Sequence, residues 1–447
     1  MNERETAQRL AEKVAAEGGR VYYVGGCVRD RLLGRENKDI DLEVHGITPQ
    51  TLERILDSLG ERTSFGESFG IYALKGVSLD IAMPRRETAT GRGHRDFTVD
   101  VDPFLGIENA CRRRDFTVNA MMQDVLTDEI TDPFDGRRDL RDGVLRHVCD
   151  ETFAEDPLRV LRGAQFAARF GFTVAPETVA LCRKIDLSPL APERVTEELK
   201  KALLKAERPS VFFSFLRETD QLDVWFPELK ATIGVEQEPK YHPEGDVWNH
   251  TMLVIDEAAR LRGRAKQPFA FMLAALAHDL GKPVTTATID GRIRAFGHEI
   301  KGILLAEAFV RRLSNEQKLV RYVADMVKLH MRPNALPEDA SYKASNRLFD
   351  ESTEPDDLLL LALCDARGCQ RTDDRAKNRF LSARLAHYRE AMTKPCVMGR
   401  DLLAAGLSPD ERFSDLLAFA HRLRLSEVPK KEALKQVLAR ARNNTFS

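Results

Sequence analysis

The sequence predicts an α+β head followed by all-α domains, and three features carry that division. Short β-rich runs alternate with helical segments in the first part of the chain; from about Asp156 the apolar residues recur at three- and four-residue spacing; a proline-containing stretch, 208–245, then separates two helical stretches. The N-terminal segment to about Gly18 reads as a charged amphipathic helix, and VYYVGG after it as a strand ending in glycines. VRDRLLG follows as a helix, DIDLEVHG alternates as a strand does, and IYALKGVSLDIAMP supplies two more strands around Gly76. LRVLRGAQFAARFGF is the clearest helix, stopping at Gly171. WNHTMLVIDEAARL and FAFMLAALAHDLG open the second helical unit, and the tail from 371 is charged and helical.

Composition narrows the class without naming a partner. The 447 residues allow two to four domains, and 43% hydrophobic with 31% charged residues is ordinary for a globular protein. No apolar run is long enough to span a bilayer, and MNERETAQRLAEKVAAEGG lacks the apolar core of a signal peptide. The seven cysteines are scattered with no CxxC pair, which argues against a thiolate zinc site or a disulfide framework and predicts a cytoplasmic protein. A formal charge of −2 gives no global sign of nucleic-acid binding. Basic residues do gather at Arg112, Arg113 and Arg114, at Arg159, Arg162 and Arg169, and at Lys200, Lys201, Lys205 and Arg208, the last group reading more simply as a solvated helix face.

Asp39 and Asp41 stand two apart in KDIDLEV, so on a strand both carboxylates point to one side and reach the same ions. Phosphoryl transfer to a hydroxyl uses that arrangement, with hard oxygen ligands holding Mg²⁺ against a triphosphate. Upstream, VGGCVRD sets Gly25 and Gly26 between a strand and a helix, where backbone amides can approach phosphate, and Arg29 on the first turn can pair with phosphate oxygens. An ordinary strand–helix turn explains each piece alone, but explains the pieces together less well.

GGCVRD followed by DIDLEVHG resembles the catalytic motif of the polymerase-β-like nucleotidyltransferases, and more narrowly the bacterial class II CCA-adding enzymes and their poly(A) polymerase relatives. The similarity continues in order through LDIAMPRRE (79–87), RRRDFTVNAM (112–121), DPFDGRRDL (132–140) and EDPLRVLRGAQFAARFGF (155–172), spanning about the first 205 residues. The resemblance implies a polymerase-β-like head with a small mixed sheet and a helical neck and body. It implies that Asp39 and Asp41 hold Mg²⁺ and catalyse transfer, that Gly26, Arg29 and Arg162 position the nucleotide, and that Arg114 and Asp115 contact the nucleotide or its ribose. A salt bridge within the domain core is an equal reading of the last pair. Asp80 is a further carboxylate candidate, although a strand-end aspartate more often caps or pairs. The stretch 84–97, rich in glycine and charge, looks like a loop that moves when such enzymes switch nucleotides.

The EDPLR block has a chemical reading of its own. Asp156 before Pro157 is a good helix cap. Arg159 sits three residues on, close enough to work beside it. Arginine only donates hydrogen bonds and ionised aspartate only accepts them. Cytosine and adenine each offer an amino donor beside a ring-nitrogen acceptor, the reverse of uracil and guanine. An Asp156/Arg159 pair facing that edge accepts C and A, and the resemblance implies that it serves as a protein template.

A second constellation lies downstream: His250 in WNHTM, His278–Asp279 in LAHDLGK, and Asp365 in LCDARG, with His298 and His330 between. Imidazole and carboxylate together suit divalent metals, and a bound metal activates water against a phosphoester. The ordered H…HD…D set resembles the HD phosphohydrolase superfamily, which implies metal binding by His250, His278, Asp279 and Asp365; His298 and His330 are either further ligands, substrate contacts or structural. The expected organisation is therefore a nucleotidyltransferase head at 1–145, a helical neck and body at 146–240, an HD domain at 241–370 and a helical extension at 371–447. The partners expected are tRNA, CTP and ATP. The alternatives are a CC-only or A-only enzyme, a poly(A) polymerase, or an HD phosphohydrolase with a non-catalytic, RNA-binding head.

Overall fold

A computed structural model describes residues 2–35, 40–63, 70–89, 97–369 and 375–443. The chain divides into two compact units, Met1–Ala206 with Val211–Val224, and Glu207–Ser210 with Trp225–Ser447.

The first unit opens with α1 (Glu3–Ala16). Asn2 accepts from the Glu5 amide while the Glu5 carboxylate takes the Asn2 amide, a reciprocal cap that satisfies two helix-end donors. Its Ala7, Leu10, Ala11 and Val14 recur at helical spacing and are buried. The strands are β1 (Arg20–Val24), β2 (Ile40–His45), β3 (Arg62–Thr63), β4 (Ile71–Leu74), β5 (Leu79–Ala82), β6 (Arg85–Ala89), β7 (Phe97–Val101), β8 (Met122–Asp124) and β9 (Ile130–Thr131), with α2 (Gly26–Leu32) and α3 (Pro49–Leu59) among them. One mixed sheet runs β3-β4-β5-β2-β1-β8-β9, and β6 pairs only with β7. β2 and β5 are parallel; β1 is antiparallel to both β2 and β8. Central β1 divides its side chains by the period of two: Val21 joins a core with α1, α3, β2 and β5, whereas Tyr22 and Val24 join Cys111, Ala120 and Met122 on the opposite side.

The helices α4 (Ile107–Arg112), α5 (Gly136–Asp142), α6 (Asp150–Glu155), α7 (Leu158–Phe170), α8 (Pro176–Cys182) and α9 (Pro192–Lys205) complete this unit, with a two-residue parallel pair, β10 (Val144–Leu145) and β11 (Thr173–Val174). Nine of the thirteen residues of α7 are buried, so it runs through the unit's interior and presents its arginines only where partners await them.

The second unit is almost wholly helical, as its periodicity predicts. α10 (Ser210–Glu218) crosses the boundary; α11 (Pro227–Lys230), α12 (Val247–Leu261), α13 (Pro268–Ala277), a hairpin of β12 (Ala287–Ile289) and β13 (Arg292–Arg294), α14 (His298–Leu313), α15 (Gln317–Leu329), α16 (Met331–Ala335), α17 (Tyr342–Glu351), α18 (Pro355–Gly368) and α19 (Arg375–Ala391) follow. Asp246 caps α12 through the Asn249 amide. α13 is buried on every side from Ala270 to Ala277, which fixes the His–Asp pair at its end. α20 (Gly399–Ala404), α21 (Phe413–Leu425) and α22 (Lys430–Asn443) enclose a small separate core around Leu402, Leu416 and Val437. Among the described residues no helix is long and apolar enough to cross a membrane, and all seven cysteines are free thiols.

Candidate functional sites: a strand of carboxylates and a cage of histidines

The alternation of β2 sorts its chemistry. Leu42 and Val44 enter the core, so Asp41, Glu43 and His45 share the other face. Asp41 lies in register with Asp80 of parallel β5, which sets the two carboxylates side by side on neighbouring strands about 4.8 Å apart. Asp39 lies outside the described residues, as do residues 90–96 of the stretch 84–97. Gly25 caps α2 with φ +67°, a conformation that L side chains rarely adopt; a Cβ there would stand 3.1 Å from Arg114 Nη1 and 3.8 Å from Asp41 Oδ2. The turn backbone thus fits between a guanidinium and a carboxylate, and Gly26 begins the helix whose N-terminus opens beside them.

Glu43 was not singled out by sequence reasoning, although its place two beyond Asp41 in the same alternation signals it. It is 1% exposed and accepts from Arg114 at 3.2 Å, with Arg113 at 3.7 Å and His45 at 2.9 Å. Burial works to raise its carboxyl, but the His45 hydrogen bond and the two guanidiniums overcome burial and hold it at about 2. Glu43 thereby fixes Arg114 beside Gly25.

Arg29 points inward. Its guanidinium is buried, bonded to Asp30 and, at 2.6 Å, to Asn119, and lies 4.5 Å from the Phe170 ring centre. This places it as a tie between α2 and the end of α7. Asp115 and Arg162 form the salt bridge, at 2.7 Å, and Asp115 also accepts from Asn119 and the Phe116 amide. Burial raises the Asp115 carboxyl; Arg162 and Asn119 outweigh it and bring it down. Asp156 caps as expected through the Leu158 amide, while its other oxygen takes Arg194 of α9 at 3.0 Å. The Arg159 fork spans two backbone carbonyls, Thr152 at 2.6 Å and Arg113 at 2.7 Å. Arg159 therefore links α6, α7 and the RRR segment, and Arg194 was not foreseen.

The second unit gathers the histidines. His250 of α12 reaches Asp365 of α18 at 3.1 Å and His278 at 3.3 Å, and His278 reaches Asp279 at 3.2 Å. His298, at the start of α14, and His330, at the end of α15, stand 3.2 Å apart through their Nε2 atoms, and His298 lies 3.3 Å from Asp279. His250, His278 and Asp279 form one group able to hold a metal ion; Asp279, His298 and His330 form another. Burial lowers His330 to about 4, with His278 and His298 adding to the effect. Four contributors escaped sequence reasoning. Glu244 accepts from His250 Nδ1 at 2.8 Å, the carboxylate–histidine contact that orients metal ligands. Cys369 and His242 stand 3.5 Å apart and, with Glu244 and His250, make a further cluster of potential ligands. Lys282, held by Gln237, sits 2.6 Å from Asp279. HDLGK placed that lysine one helical turn from Asp279, which was the available signal. A cleft of about 600 Å³ opens onto Asp279, His298 and Asp365, with Lys282, Arg294, Tyr241 and Phe296 in its walls.

Comparison with known proteins agrees with both clusters. Residues 21–146 match the model of the poly A polymerase head domain, 171–233 that of the probable RNA and SrmB-binding site of polymerase A, and 247–367 that of the HD domain. The nucleotidyltransferase and HD families depend on divalent metals. The Multifunctional CCA protein of Alkalilimnicola ehrlichii is 40% identical over 367 residues, 78% of this chain and 84% of that protein. That of Xanthomonas oryzae pv. oryzae is 37% identical over 401 residues, 87% of this chain and 94% of that one. Among solved structures, the Bacillus stearothermophilus CCA-adding enzyme in complex with CTP superposes with a TM-score of 0.66 at 21% identity, covering 100% of this chain and 99% of that one. The Thermotoga maritima CCA-adding enzyme complexed with tRNA gives 0.63 at 21% identity, covering 97% and 94%. The fold is thus that of the CCA-adding enzymes, and on sequence the chain belongs to the multifunctional CCA protein family.

Proposed function

We propose that this chain completes the 3′ end of tRNA, adding C and A residues from CTP and ATP without a nucleic-acid template, and that its HD domain hydrolyses phosphoesters. The observation that carries the first activity is the register of Asp41 with Asp80 beside the Gly25 turn, in a chain whose relatives are multifunctional CCA proteins. The hard carboxylate oxygens on that face suit Mg²⁺, with Asp39 and Asp41 as its holders. When bound, Mg²⁺ neutralises charge on the triphosphate and makes the attacking 3′ hydroxyl more acidic.

The chain's own residues do the positioning. The amides of the Gly25–Gly26 turn face phosphate oxygens, and Arg114, fixed by Glu43, adds a fixed positive charge next to them. Asp115 and Arg162, locked to each other, make a rigid floor for the nucleotide, and Arg29 braces α2 against α7. Asp156 and Arg159 present an acceptor and a donor to the base edge. Each is already anchored, by Arg194 and by two carbonyls, so a base that mismatches them leaves polar groups unpaired rather than moving them. In the HD domain, imidazoles and carboxylates suit a divalent transition metal, while Lys282 and Arg294 supply positive charge to a phosphoester in the cleft.

Single-nucleotide extension tests the reading. tRNA lacking its CCA end, Mg²⁺ and each nucleoside triphosphate, alone and then as CTP with ATP, are expected to give C, C and then one A. Arrest at CC, addition of A only, or a long A tail would overturn complete CCA addition.

A further inference from the structure

Asp279 divides its two oxygens between two sets of histidines. Oδ2 faces His278 Nε2 at 3.2 Å and His250 Nε2 at 3.7 Å, with the Lys282 ammonium at 2.6 Å. Oδ1 faces His298 Nε2 at 3.3 Å and His330 Nε2 at 3.7 Å, and those two nitrogens are 3.2 Å apart. The residue is 2% exposed, and Oδ1 has no hydrogen-bond partner among the described residues.

The protons on the rings are fixed from behind. His298 Nδ1 lies 2.8 Å from the Ala295 carbonyl and His330 Nδ1 2.7 Å from the Val327 carbonyl, each within its own helical turn. A carbonyl only accepts, so Nδ1 carries the proton, and Nε2 of each neutral ring presents a lone pair. Three acceptors therefore converge around Oδ1 with no donor among them, whereas the ammonium of Lys282 serves the Oδ2 side. Their separations match what one ion imposes, since ligand atoms about 2.1 Å from a metal stand about 3.0–3.4 Å apart.

We propose that Asp279 Oδ1, His298 and His330 form a second metal position, bridged through the Asp279 carboxylate to the position formed by His250, His278, Asp279 Oδ2 and Asp365. This rests on the HD phosphohydrolase reading and deepens it: the cage is a two-ion centre for divalent transition metals. Ions sharing one carboxylate stand about 3.5–4 Å apart, the spacing that clamps two oxygens of a phosphoester. The His298 ring is the ligand set's edge on the 600 Å³ cleft, so the second ion borders the substrate's side.

The test uses the full-length chain carrying Asp41→Asn, so that the head's ions do not enter the count. The protein is stripped with chelator, titrated with Mn²⁺ and read by elemental analysis and electron paramagnetic resonance. Two retained equivalents with an exchange-coupled Mn²⁺ pair are expected, a result needing no change in the cage. His298→Gln and His330→Gln, checked for fold by circular dichroism, should each retain one uncoupled equivalent. One equivalent in the parent, unchanged by His298→Gln, overturns the second position and leaves the HD reading intact. No retained metal together with no hydrolysis of a simple aryl phosphoester overturns both.

Discussion

At the scale of single residues, the head's charges are arranged so that few of them are at liberty to move. Glu43 is the centre of this. Its folded carboxyl is held at about 2 against an ordinary 4.5, so its stabilisation is fully present above about pH 4.5 and is lost as pH falls toward 2. Two to three pK units correspond to about 3 kcal/mol, an upper bound because His45 shares the hydrogen bond. Denaturation midpoints of the wild type and Glu43→Gln should differ most near pH 6 and converge by pH 3; a pH-independent difference would mean that shape and not charge matters there. Base choice is also a residue-scale matter. Asp156→Ala removes the acceptor and frees Arg194, and Arg159→Lys replaces a two-carbonyl fork with a single point charge. Each should lower the preference for CTP over UTP by at least about tenfold, given that a site pairing with polar groups discriminates by about 10⁴–10⁵. Extension with each triphosphate separately measures it, and an unchanged preference would remove these residues from selection.

At the scale of elements, the site depends on close backbone approach as much as on side chains. Gly281 packs its α-carbon against α14: a Cβ would lie 2.0 Å from the His298 carbonyl oxygen and 2.7 Å from the Gly302 amide. Both are backbone atoms, so Gly281→Ala must push α14 away, carrying His298 with it. It is expected to destabilise by about 1–3 kcal/mol and to weaken metal retention, read by thermal unfolding and elemental analysis. Retention equal to wild type would show that the turn tolerates the shift. Elements of this kind explain what was legible beforehand. Period-two alternation in DIDLEVHG gave β2 and its carboxylate face, and helical spacing gave α7 and α12, because each is a local pattern. The pairing of Asp41 with Asp80, of Arg194 with Asp156 and of Glu244 with His250 joins residues brought together by chain crossings, and no local pattern reports it. Arg29 shows the same limit, since its inward turn is decided by Asn119 and Phe170, both distant in sequence.

At the scale of the whole molecule, the two clusters draw on different compact units: every described member of the carboxylate cluster lies before Ala206 and every member of the histidine cage after Trp225. Neither borrows a ligand, a cap or a second contact from the other unit, and each is framed by its own buried core. The chemistry should then be separable by substitution. Asp41→Asn, which keeps the shape of the strand and removes one charge, is expected to lower CCA addition by about 10³-fold or more, the scale of losing a charged group that acts in the transition state. Hydrolysis of an aryl phosphoester by the same preparation should stay within about twofold of wild type. His278→Gln should do the reverse, abolishing hydrolysis and leaving nucleotide addition intact, because α13 is buried on all sides and the substituted ring faces only the cage. Both rates, measured on both variants with metal content determined alongside, form a two-by-two comparison. If Asp41→Asn also reduced hydrolysis, or His278→Gln also slowed addition, the two activities would share a conformational equilibrium, and the independence inferred from the separate cores would be overturned.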